Sequence, residues 1–176
     1  MSTTKWAIDA SHSEINFKVK HMMFTNVTGK FETFEGQLET EGDSLENAKA
    51  SFTAQTASIN TGNADRDNHL KSADFFDAEQ FPTVTFESTS FTQESGSDYK
   101  LKGNLTLHGV TKEITLNADF GGLQKDPWGN TKAGLSLTGK VNRKDWGLNW
   151  NAALETGGVL VSEDVRFEIE LQLLKQ

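Results

Sequence analysis

At 176 residues the chain has the length of one domain with a sizeable core. Its 25 acidic residues outnumber its 17 Lys and Arg, a net charge of −8 that excludes the basic face nucleic-acid binding needs and opposes adhesion to an anionic membrane. The absence of cysteine excludes disulfides, a thiolate nucleophile and thiolate metal sites.

The start, MSTTKWAID, has no apolar leader core, and no later run approaches the ~20 apolar residues of a membrane span. A soluble protein without stable membrane insertion is expected. Its compartment is cytoplasmic as the chain stands, or periplasmic if this is a mature form. Ser13 to His21 alternates nearly without fault, with Ile15, Phe17 and Val19 on one side and charged or polar residues on the other. Such a strand is half-buried, as antiparallel sheets require. Thr28 to Thr40 is a second strand, in which Phe31 and then Phe34, Gly36 and Leu38 change parity, so a β-bulge is expected near Thr33. Ala48 to Ile59 is a third, with Ala50, Phe52 and Ala54 inward and a slip before Ile59.

The alternation then stops. Asp65 to Pro82 reads as helix: Asn63 and Asp65 are good caps, acids fall in the first turn and Pro82 ends it. Leu70, Ala73, Phe75 and Phe76 share one apolar stripe, and the two phenylalanines, about 100° apart on a helix, are expected to divide between barrel interior and rim. Strands resume at Thr83 to Thr92 with Val84 and Phe86 inward, and at Tyr99 to Leu107 with Leu101, Gly103, Leu105 and Leu107 inward. His108-Gly109 suits a tight hairpin. Val110 to Gly121 returns with Ile114 and Leu116 inward, Ala133 to Arg143 follows with Leu135 and Leu137, and Val159 to Leu174 closes the series with Phe167 and Ile169.

Eight antiparallel strands, each apolar on one face, remove their exposed edges by closing on themselves. The fold expected is all-β: an extended eight-stranded antiparallel lipocalin-like β-barrel with a short α-helix capping one end. A two-sheet sandwich is the alternative. Long strands favour the barrel, which would stand about 30 Å tall. Small inward residues (Gly36, Ala50, Ala54, Gly103, Ala118, Ala133 and Gly139) suggest a long, narrow apolar space suited to a linear lipid.

The chain also resembles the YceI-like, polyisoprenoid-binding family. The matching residues are Trp6-Ala7-Ile8-Asp9 with His12-Ser13, Gly29-Lys30-Phe31, Ser58-Ile59-Asn60-Thr61, Arg66-Asp67-Asn68-His69-Leu70, Asp74-Phe75-Phe76-Asp77 and Phe81-Pro82. Gly103 to Lys112 and Asn142-Arg143-Lys144-Asp145-Trp146-Gly147 continue the match in order over nearly the whole chain. The resemblance implies a lipocalin-like barrel and a buried polyisoprenoid lipid, such as an isoprenoid quinone or polyprenyl phosphate, with no cofactor required. Many members of the family carry a secretion signal.

The tunnel wall expected from inward parity and the helical stripe comprises Ile15, Phe17, Val19, Phe31, Phe52, Phe75, Phe76, Val84, Phe86, Leu101, Leu105, Ile114, Leu116, Leu135, Leu137, Phe167 and Ile169. A polar mouth would draw on His21, Arg66, His69, Lys112 and Arg143. The competing reading makes Arg143, with Asp145 or Asp67, and His69 a network tying helix to rim. Trp128, Trp146 and Trp150 line a portal or pack beneath loops. Enzymatic chemistry is not expected: there is no G-x-S-x-G elbow, and the four histidines lack metal-ligand spacing. A stress-linked protein-interaction module is the other alternative, with a hydrolase behind it, and a homodimer covering an apolar loop surface is compatible with the chain.

Overall fold

The computed structural model describes residues 2–22, 24–151 and 160–176. Its strands are β1 (Thr3–Ile8), β2 (Glu14–His21), β3 (Thr25–Phe31), β4 (Phe34–Glu41), β5 (Ser44–Gln55), β6 (Ile59–Asn60), β7 (Thr83–Ser95), β8 (Asp98–Leu107), β9 (Val110–Lys125), β10 (Thr131–Asn142) and β11 (Asp164–Lys175); helix α1 spans Ala64–Lys71. Every pairing is antiparallel, in the order β1-β4-β5-β7-β8-β9-β10-β11, and β11 pairs back onto β1 to close a barrel. The other half of β11 pairs with β2, which continues through β3 to β6. Thus β1 with β2, β3 with β4, and β5 with β6 are three long staves, each broken once, and the wall has eight staves.

Those breaks correct the sequence reading. The change of parity near Thr33 is a corner: β3 pairs with β2 and β6, whereas β4 pairs with β1 and β5. The slip before Ile59 is a 3-10 turn at Thr56–Ser58. Strand β1, which is not among the strands expected from alternation, buries Trp6 at 2% exposure and bonds its Nε1 to Thr40 Oγ1 at 3.0 Å. The final strand begins at Asp164; Val159 lies outside the described residues.

The helix is also shorter than expected. Asn63 caps it, its Oδ1 accepting the Arg66 N–H at 3.0 Å. It ends at Lys71 because Ser72 turns to extended backbone (ψ 172°) and both its N–H and its hydroxyl bond the His69 carbonyl, at 3.1 and 2.5 Å. Phe75 and Phe76 therefore belong to a following turn. The Phe76 N–H returns to the Leu70 carbonyl, and Asp77 takes a left-handed φ of 49°.

The hairpin at His108-Gly109 has positive φ at both positions, 52° and 73°, the geometry that matches strand twist across a two-residue turn. Away from α1 the barrel is filled: Leu45, Ala48, Tyr99, Leu101, Ala118 and Ala133 are all buried there, and Phe91 is buried at the boundary with the hollow half. Phe91 and Tyr99 meet edge-on at 5.6 Å. The hollow half lies beneath α1. Among the described residues no helix is long and apolar enough to cross a membrane.

Candidate functional site: an apolar cavity beneath the helix

A cavity of about 500 Å³ occupies the hollow half, inside the size range of small-molecule sites. Its wall takes Ile15, Phe17 and Val19 from β2, Phe31 from β3, Phe52 from β5, Val84 and Phe86 from β7, and Leu105 from β8. Ile114 and Leu116 come from β9, Leu135 and Leu137 from β10, Phe167 and Ile169 from β11, and Phe75 and Phe76 from the turn after α1. Each strand exposes alternate residues to the interior, so an apolar face in sequence becomes an apolar wall. Leu101 is the wall residue placed elsewhere. At 2% exposure it belongs to the filled half.

The inward glycines play a different part from the one expected. A Cβ on Gly103 would sit 2.4 Å from Phe86 Cζ, and one on Gly139 would sit 2.5 Å from Leu116 Cδ2. Neither glycine lines the cavity. Each is covered by a large neighbour, whose side chain supplies the wall in its place.

The polar groups gather at the α1 end. His21, Arg66, His69 and Arg143 all border the cavity, with Asp65 and Thr61 beside them. Lys112 does not: it is exposed near the start of β9, opposite Leu105. Arg66 is anchored to Thr61, with Nε 2.7 Å from its Oγ1 and Nη2 2.8 Å from its carbonyl; Asp67 accepts from the N–H and hydroxyl of the same Thr61. His69 bonds Asp74 at 2.9 Å and is stacked edge-on by Trp150 at 4.6 Å and Phe75 at 5.1 Å.

Arg143 is the least exposed of the group, at 4%. The 3-10 turn Arg143–Trp146, capped by Asn142 on the Lys144 N–H and closed by Gly147 at φ 80°, turns its guanidinium inward. There it meets backbone carbonyls and not Asp145 or Asp67: Nη1 donates to Leu148 (2.6 Å), Nε to Ser162 (2.9 Å) and Nη2 to Val161 (3.3 Å). No carboxylate lies within ion-pairing distance among the described residues. Burial pushes its pKa down from the ordinary guanidinium value, and the Glu163 charge partly offsets this. An arginine stays protonated under such a shift, so the cavity has one strongly positive end.

The tryptophans divide. Trp146 is buried at 2%, bonds the Leu105 carbonyl through Nε1 at 3.0 Å and borders the cavity, as does Trp150. Trp128 sits 82% exposed on the β9–β10 hairpin, at the opposite end of the barrel. Leu148, Leu160 and Val161, absent from the expected wall, also border the cavity; the last two fall in the expected strand Val159 to Leu174 but lie before its observed start at Asp164.

Residues 9–12 place a serine, a histidine and an aspartate together. Both Ser11 Oγ (3.1 Å) and Asp9 Oδ2 (2.9 Å) approach the same nitrogen of His12, Nδ1. A relay needs the two ring nitrogens on different partners, so this arrangement is a turn staple. Hydrogen bonds from Ser11, His12 and Lys132, with the His12 charge, outweigh burial and hold the Asp9 carboxyl at about 2. Among the described residues no group of His, Asp and Glu is placed to hold a metal.

The YceI-like domain model matches residues 6–173, nearly the whole barrel from Trp6 in β1 to Leu173 in β11. The chain belongs to the YceI-like family. A relative, a UPF0312 protein of Staphylococcus aureus strain N315, is 42% identical over 166 residues, covering 94% of each chain. The crystal structure of the Campylobacter jejuni YceI protein superimposes with a TM-score of 0.78 at 34% identity, covering 96% of both chains. Two more distant structures share the fold. Burkholderia cenocepacia BcnA has a TM-score of 0.80 at 20% identity, covering 94% of this chain and 98% of its own. A polyisoprenoid binding domain from Saccharophagus degradans has 0.69 at 18%, covering 97% and 98%.

Proposed function

We propose that this YceI-like chain binds a long-chain polyisoprenoid lipid in the cavity and stores or carries it without chemical change. The observation that carries the reading is the division of the cavity into a long, mostly apolar wall and one end where its charged and titratable groups gather. The polyisoprenoid-binding relative from S. degradans supports the choice of ligand class.

The energetics are adequate. Each buried methylene contributes about 0.8 kcal/mol, so a five-carbon isoprene unit contributes roughly 3 kcal/mol before costs. A few units offset the loss of translational and rotational freedom. Affinity then comes from the chain, and discrimination between head groups from the polar end. Among the described residues, three of the five guanidinium N–H groups of Arg143 are bound to carbonyls, which leaves two to meet a phosphate oxygen or a quinone carbonyl. His69 and Arg66 stand beside it as fixed neighbours. The head group is an isoprenoid quinone or a polyprenyl phosphate.

Denaturing organic extraction of the purified protein, followed by mass spectrometry, tests the proposal. A polyprenyl species near one per protein is the expected result. Extracts empty of lipid, from protein that also fails to take up added isoprenoid, would refute it.

A further inference from the structure

The wall of the barrel has a seam. The ladder between β5 and β7 runs from Gln55↔Thr83 to Ser51↔Glu87 and ends there, although β5 continues to Ser44 and β7 to Ser95. Below that rung β7 slips register twice against β8, at Ser88/Ser90 and at Gln93/Ser95. Bulges bend a strand and release it from its neighbour. Two side chains take the place of backbone rungs: Ser88 Oγ accepts the Ala50 N–H at 2.8 Å, and Glu46 Oε2 accepts the Gln93 N–H at 2.6 Å.

Outside this seam lies a groove of about 590 Å³. Gln37, Ala50, Ser51 and Phe91 border both the groove and the inner cavity. Phe91, fully buried, is thus the partition between them. At the α1 end Arg143 is clamped to three carbonyls and Trp150 is stacked on His69 and Phe75.

We infer that the β5–β7 seam is the side opening through which an isoprenoid chain enters and leaves, shut in this structure by Phe91 and the Ser88–Ala50 bond. The inference rests on the lipid-binding reading above. A linear apolar chain can slip sideways through a slot whose floor is an aromatic ring and whose rungs are single side-chain bonds. Entry through the capped end would require the Arg143 clamp to open. Widening the seam exposes only the edges of two strands, and the remaining staves keep their ladders.

A gate changes the height of a barrier and leaves the end states alone, so association and dissociation change together and the Kd does not. The chain has no cysteine, so a designed pair is unambiguous. Ser51 and Glu87 are direct cross-strand partners on the last rung, within the Cα separation a disulfide accepts. S51C/E87C, oxidised and then reduced, serves as its own reference, with anthraniloyl-labelled geranylgeraniol as the stopped-flow probe. Oxidation is expected to slow binding and release at least tenfold at constant Kd, with reductant restoring both. Ser88→Ala is expected to speed both severalfold. Rates indifferent to a disulfide that mass spectrometry shows to be formed would overturn the side opening while leaving the cavity as the binding site. Failure of the unmodified protein to bind the probe at all would instead overturn the lipid reading, and the opening with it.

Discussion

Arg143 brings a full positive charge into a cavity wall of aliphatic and aromatic side chains, and three carbonyls depend on it. Removing it in Arg143→Met strands those carbonyls, so a loss of about 2–4 kcal/mol is expected in urea unfolding. Arg143→Lys keeps the charge but cannot present three divergent donors, and an intermediate loss is expected. If Met were as stable as Arg, the clamp would have no structural role. Asp9 gives a test in pH. Its carboxyl titrates near 2 in the folded protein against an ordinary 3.8, so the stability it contributes is full above about pH 4 and is lost as pH falls through 2. Asp9→Asn is therefore expected to cost on the order of 1–2 kcal/mol at neutral pH, with the gap to the parent closing between pH 4 and 2. A gap independent of pH would show that the loss is not electrostatic. Of these two residues, the sequence made Arg143 legible as a candidate through its inward parity beside Val141. Its carbonyl partners were not legible: Leu148 lies in a loop with no period, and Val161 and Ser162 lie up to 19 positions away in a stretch read as strand, which begins only at Asp164.

Among the elements, α1 depends on its caps, since none of its residues is buried. Asn63→Ala should cost about 1 kcal/mol and raise amide exchange selectively at residues 64–71, which hydrogen-exchange mass spectrometry would resolve. Uniform exchange changes across the barrel would mean that α1 is not a separate unit. Strand β1 closes the ladder against β11, and Trp6→Ala should cost about 3–5 kcal/mol because it empties a site only 2% exposed. The strands that keep the same two neighbours for most of their length, β8 to β10, were read from alternation nearly to their ends. Those that exchange partners midway were not. A corner and a bulge leave the same one-residue change of parity in the sequence, and only pairing distinguishes them. Similarly, the stripe Leu70, Ala73, Phe75 and Phe76 has helical spacing, but Ser72 diverts its own hydrogen bonds to the His69 carbonyl and ends the helix first.

At the scale of the whole molecule, eight staves make a closed wall, aromatic and aliphatic residues fill one half, and the other half holds the cavity under α1. The eight-fold count and the closure follow from period-2 patterning, and sixteen of the seventeen residues expected in the wall border the cavity. What patterning does not encode is which inward residues meet across the barrel and which stand back. Gly103 looks like empty space in sequence and is covered by Phe86; Leu101 looks like wall and is packing. Filling the void is a property of three-dimensional neighbours, so the boundary between core and cavity emerges only with the fold. The central claim is that this void holds an isoprenoid chain. Photolysis of a diazirine-bearing geranylgeraniol bound to the protein, followed by peptide mapping, tests it most directly. Adducts on Phe17, Phe31, Leu135, Leu137 and Phe167 are expected, with none on Leu101; adducts confined to outward-facing residues would contradict the account.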